Sequence, residues 1–332
     1  MKKDLLWLIT GLLLLAPAGW QGCEMKPGNA TAKSVRINRF DKDVYRLMET
    51  DSPEWQQQLA ANYAPLLEVI GQSVFRTKDT QTPDFFDRMI NYYSEPTLNR
   101  LYRDALKQFD NIETIENDLG KAFQYFRTQL PDMQLPAVYM HVSGLRQNII
   151  AGDSLLSLSI DKYMGRDYPL YQDYFYTYQL RKMEPAYIVP DYLAAWLLSE
   201  YPFRGDERVL LDRLIYEGKI KYVLHRAYSR FSPESWMGYT PEEYLWCRRN
   251  EKMLWSILIE RKHLYTPDVV TTSKYFSPQP STFIADEAPG DIGVWIGWQI
   301  VAKYMDSTGA TVENLINNND AQAILRLSKY KP

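Results

Sequence analysis

The chain has 332 residues, with 38 Lys and Arg against 41 Asp and Glu and a formal net charge of −3. The two signs are interspersed, so no basic block points to nucleic acid and no acidic block to a solvating tail. Only two cysteines are present, which excludes a disulfide framework and leaves core packing to hold the fold.

Lys2 and Lys3 give a short positive start. Leu5 to Ala18 is almost wholly apolar, with leucine unbroken from Leu12 to Leu15, and small or polar residues then lead to Gly22 and Cys23. That order reads as a secretory signal peptide over residues 1–22. Pro17 and Gly19 cut the apolar stretch short of the ~20 residues a membrane-spanning helix needs. Cys23 resembles the lipobox cysteine of bacterial lipoproteins, where a glycine precedes a cysteine that is diacylated and becomes the first residue. Trp20 departs from the usual leucine. The resemblance implies a lipid anchor at Cys23, which several acyl chains at ~0.8 kcal/mol per buried methylene would make durable. An ordinary secretion signal, with Cys23 a bystander, is the plain alternative. Residues 23–33 are polar, with Pro27 and Gly28, and read as a tether to a single domain over 34–332.

Val35 to Phe40 alternates and predicts a short strand, after which the pattern turns helical. Asp51-Ser52-Pro53-Glu54 is a helix start, and further helices are expected over 85–92, 96–108 and 114–130. Ala137 to Val142 and Ser154 to Ile160 read as strands around the turn signals at Gly144 and Gly152. The remainder predicts helices over 187–199, 208–228, 241–263, 291–305 and 312–327. Thr240-Pro241-Glu242-Glu243 gives the third of these a threonine cap, a first-position proline and a capping-box glutamate. The expected class is α+β, mainly helical, with a small central sheet.

Chemistry-bearing motifs are sparse. His141, His225 and His263 form no HExxH or close pair, so no metal site and no cofactor is expected. There is no G-x-S-x-G and no phosphate-binding loop. Gly290-Asp291-Ile292-Gly293 has the wrong spacing for a dinucleotide fingerprint and reads as a loop entering a helix, with Asp291 near its positive end. Cys247, among Trp246 and Trp255, reads as a small buried apolar side chain. Three acids in helices remain. Asp191 reads first as a helix cap; Glu217 and Glu251 read first as ion-pair partners of Lys221 and Arg248. Tyrosines cluster at positions 168, 171, 174, 176 and 178, which suits a broad core or a groove for peptide or glycan.

Seven stretches resemble the gliding-motility-associated lipoprotein family GldB of Bacteroidetes. They are 138–144 (Val-Tyr-Met-His-Val-Ser-Gly), 160–165 (Ile-Asp-Lys-Tyr-Met-Gly), 181–188, Glu217-Gly218-Lys219, 246–251, 289–304 with Trp295-Ile296-Gly297-Trp298-Gln299, and 328–332. The resemblance implies an envelope lipoprotein, on the outer membrane facing the periplasm, with partners in the gliding or associated secretion machinery. It also implies a degenerate zincin-like scaffold. Pro190 to Ala194 would stand at the HExxH position and Glu217 at the third ligand, but both histidines are absent, so the fold is expected to persist without the enzyme activity. The candidate cleft is then Asp191, Tyr192, Trp196 and Glu217. Two alternatives are a zinc-independent hydrolase on peptide or peptidoglycan, using Asp191 and Glu217 as general acid and base, and a two-lobed ligand-binding lipoprotein.

Overall fold

The computed structural model describes residues 34–146, 148–280 and 282–332, so the signal segment, Cys23 and the tether lie outside the described residues. A four-stranded sheet, ordered β1-β2-β4-β3, takes its strands from two widely separated parts of the chain. β1 (Ile37–Asn38) pairs parallel with β2 (Ala137–His141), and β2 pairs parallel with β4 (Leu155–Ser159). β3 (Ile149–Ala151) runs antiparallel to β4 and forms one edge. Every residue of β4 is buried, as expected of a central strand covered on both faces.

Between β1 and β2 the chain forms α1 (Phe40–Thr50), α2 (Pro53–Ile70), a π-turn over Gly71–Phe75, α3 (Pro83–Tyr93), α4 (Pro96–Gln108) and α5 (Glu113–Gln129). The strand expected over 35–40 shrinks to two residues because Phe40, Val44 and Leu47 share one helical face buried in the core. Ser52 caps α2 and Thr82 caps α3, each accepting from the backbone N–H three residues on, with proline at the first position.

After β4 come a 3₁₀ turn (Ile160–Lys162), the short α6 (Pro169–Gln172) and α7 (Thr177–Leu180), then α8 (Ile188–Glu200), α9 (Leu210–Ala227), α10 (Pro233–Met237), α11 (Pro241–Glu260) and α12 (Val269–Tyr275). α13 (Ile292–Thr308), α14 (Val312–Asn317) and α15 (Ala321–Ser328) close the fold. The capping box read from the sequence at Thr240 and Glu243 is present. The single helix expected over 312–327 is two helices, because Asn318 is extended and Asp320 caps a new start.

α8 packs on β4 and β3, and α9 packs on α13 as the most extensive helix pair. That pair is set by two glycines. A Cβ on Gly218 would fall 2.2 Å from the carbonyl oxygen of Gly297, and one on Gly297 would fall 1.9 Å from that of Leu214. The two backbones therefore touch, and this brings the residues of α9 next to the start of α13.

Candidate functional site

Asp191 lies in the first turn of α8, but it does not cap the helix. Its carboxylate instead accepts a hydrogen bond from the Tyr163 hydroxyl at 2.6 Å, and Asn148 donates to that same hydroxyl at 3.4 Å. The cap reading of Asp191 is thus corrected: Tyr163, which follows the 3₁₀ turn after β4, claims the carboxylate. Burial pushes the Asp191 acid up from its ordinary range, against the Tyr163 hydrogen bond and the charges of Lys182 and Lys221.

Glu217, on α9, is bonded to Arg213 one turn earlier at 3.1 Å, not to Lys221 as its own sequence suggested. The Arg213 guanidinium stacks between the rings of Phe203 and Phe276, at 5.3 and 5.1 Å, so its hold on Glu217 is preorganised. Lys221, the next turn of the same helix, donates to the Trp236 carbonyl at 2.8 Å and carries no close carboxylate. Burial and then the neighbouring Lys182 push its ammonium down to about 8, while Asp291, Glu217 and Asp191 pull it back up. Lys221 is therefore the common neighbour of all three acids.

Asp291 completes the set. It occupies the N-cap position of α13 in the left-handed backbone region, at φ 53°, which Asp and Asn adopt more readily than other non-glycine residues. Its side chain does not cap the helix. Among the described residues it receives no hydrogen bond, and its nearest charge is the Lys182 ammonium at 3.9 Å. Burial raises its carboxyl, opposed by Lys182 and Lys221, and Asp291 in turn adds to the rise at Glu217. The sequence reading of Asp291 as a residue entering a helix is right in place but misses its chemistry. Only the fold brings it beside α9.

A cavity of about 240 Å³ opens directly above Asp291 and Lys182, walled by Tyr178, Tyr239, Pro278 and Pro280. Tyr239 donates to the Gly290 carbonyl at 2.5 Å, and on the cavity wall one guanidinium nitrogen of Arg181 donates to both carboxylate oxygens of Glu243. Of the cleft residues read from the sequence, Asp191 and Glu217 share Lys221 as a neighbouring charge, but neither lines this cavity. Tyr192 and Trp196 are not cleft residues. They are 0% and 1% exposed, and they donate to the carbonyls of Tyr139 and Gln134 at 2.5 and 2.8 Å. Their polar tips are spent on the backbone of the sheet and of the loop leading to it, as buried Tyr and Trp require.

Two further readings are settled by contacts. Glu251 accepts from the Tyr330 hydroxyl at 2.7 Å, not from Arg248, and so pins the C-terminal segment to α11. Cys247 is fully buried and its thiol is pushed up to about 12, chiefly by burial, which makes it inert. Asp161 is a buried acid that the sequence did not single out. Asp161 accepts from the backbone N–H of Ser143 at 3.2 Å and of Leu145 at 2.8 Å, and from the Ser159 hydroxyl. It fastens the loop after β2 to the end of β4, and the Ser-x-Asp spacing at the strand end was the available signal. Among the described residues no group of three or more His, Cys, Asp or Glu is placed to hold a metal ion, and no helix is long and apolar enough to cross a membrane.

The family described as "Gliding motility protein GldB" matches residues 23–332 of the chain. Comparisons with curated proteins and with solved structures return no match.

Proposed function

The chain belongs to the gliding motility protein GldB family, and from that premise we propose a lipid-anchored envelope protein that works by binding and not by catalysis. The observation that carries this is the extent of the family match, which begins at Cys23, the residue read as the acylated first residue, and runs through the whole folded domain. On this reading the acyl chains at Cys23 hold the domain on the outer membrane facing the periplasm, and its partners belong to the gliding or associated secretion machinery.

We read the scaffold as zincin-like without its zinc. What supports this is an antiparallel edge strand, β3, with α8 packed beneath it, followed by a helix whose Glu217 faces the same buried cluster. At the positions that would correspond to the metal-binding histidines stand Pro190 and Ala194. The zinc-independent hydrolase is the weaker reading, because Glu217 is held by Arg213 and Asp191 by Tyr163, and no bond joins the two acids. A two-lobed solute binder finds no support in the described residues, which fall in one compact unit.

The test is a deletion strain of the organism of origin, scored for surface motility and for export of secreted proteins, with affinity recovery of the tagged lipoprotein from solubilised envelopes. Loss of either phenotype, restored by the wild-type gene, and recovery of an envelope partner are expected. Normal motility and export with no partner recovered would overturn the proposal.

A further inference from the structure

The cavity above Asp291 has three properties that together define a ligand class. The first is its charge balance. Of the residues that line the cavity, Arg181 and Lys182 stand against Glu243 and Asp291, so the site presents no net charge to draw an ion. The second is the gap between Lys182 and Asp291. At 3.9 Å they face each other without a hydrogen bond, one a bare donor and the other a bare acceptor. A ligand reaching both from the cavity side needs groups that donate and accept at adjacent positions, and a hydroxyl does both. The third is aromatic. Tyr176, 70% exposed, stacks on Tyr178 with ring planes 7° apart, and Tyr178, steadied by a 3.2 Å hydrogen bond from Gln279, forms a wall of the cavity. With Tyr176 stacked against it, Tyr178 is held as an apolar ring on the wall of a polar cavity, beside paired polar groups.

We propose that this cavity binds a neutral oligosaccharide, with one sugar face lying on the Tyr178 ring and two adjacent hydroxyls bridging Lys182 and Asp291. The proposal deepens the binding role inferred above and rests on it. The placement of Asp291 fits the same picture, because its carboxylate lines the cavity and makes no cap to α13. A sugar has the flat CH face and the neighbouring hydroxyls the site asks for. A neutral peptide matches the charge balance but offers only one polar group per amide side.

The test uses the mature chain solubilised in a detergent without a sugar headgroup. Cellotriose, maltotriose, tri-N-acetylchitotriose and a Gly-Pro-Tyr peptide are each titrated to about 10 mM, with saturation-transfer NMR and calorimetry as readouts. At least one trisaccharide is expected to bind. Asp291→Asn, which keeps a residue tolerant of the left-handed backbone, and Tyr178→Ala are each expected to weaken it about tenfold or more. Asp110→Asn, at the exposed Lys42 pair, is expected to leave binding unchanged. Binding of no trisaccharide, binding of the peptide alone, or full affinity in both site variants would each overturn the proposal. None of these outcomes depends on motility or export, so failure here is distinct from failure of the proposed function.

Discussion

Gly297→Ala should destabilise the protein, and the crossing of α9 and α13 sets the size. The added Cβ would stand 1.9 Å from the Leu214 carbonyl oxygen and 2.7 Å from its carbon. Both partners are backbone, so no rotamer change relieves the clash, and the helices must separate by roughly 1 Å or more. Overpacking of a buried site costs about 1–3 kcal/mol or more, and alanine's better helix propensity returns about 1 kcal/mol of that. A net loss of about 2 kcal/mol in a domain of this size lowers Tm by about 3–4 °C. Separation also moves Asp291 away from Lys221, so the thermal loss should come with a changed charge network at the candidate site. The control is Gly309→Ala, at φ 64° with open space around it, which carries only the left-handed backbone strain, about 1–2 kcal/mol. The assay is calorimetry of both variants beside the wild type. If Gly297→Ala melts within about 1 °C of wild type, the account of the crossing is wrong.

Other consequences can be checked on the same protein. Arg39 holds the fully buried Asp41 through a two-pronged ion pair, so Arg39→Met should cost about 3–5 kcal/mol in denaturant unfolding, and Arg39→Met with Asp41→Leu should recover most of it. Tyr330→Phe removes the hydroxyl bound to Glu251 and should cost about 1–2 kcal/mol, with faster proteolysis at the C-terminus as a second readout. Lys219 is buried, donates to the Ile316 and Asn318 carbonyls, and is pushed down to about 8 by burial. An unfolded lysine releases its proton near 10.4. Between these values the unfolded chain holds a proton the folded one has lost, so raising the pH through this window favours the folded state. From pH 8 to 9.5 the wild type should gain about 1–2 kcal/mol relative to Lys219→Met, measured as the difference in denaturant midpoints. An unchanged difference would show that Lys219 keeps its proton in the fold.

The parts of the fold visible in the sequence are those fixed locally. Thr240, Pro241 and Glu243 announced α11 because capping is a contact within four residues. The runs at 137–142 and 154–160 announced β2 and β4 because each is a short, largely apolar segment bounded by turn signals. β3 was missed because three residues carry no period, and the break near Asn318 because an asparagine run can be read as polar helix surface. The candidate site divides along the same line. Asp191 and Glu217 stood out as acids in apolar helices. Their partners did not, since Tyr163 lies 28 residues before Asp191 and Arg213 competes with Lys221 from the opposite turn. Lys221 and Asp291 meet only through the glycine crossing of α9 and α13, a contact that no local window contains.

The central claim is that a lipid anchor at Cys23 places this GldB-family domain on a membrane. Its most direct test is mass spectrometry of the mature N-terminal peptide from envelopes of the native organism, beside a Cys23→Ser strain. The account predicts a chain beginning at Cys23 with its thiol diacylglycerated, and a Cys23→Ser product that leaves the membrane fraction. A mature terminus elsewhere, or an unmodified Cys23 in a protein that still sediments with membranes, would contradict it.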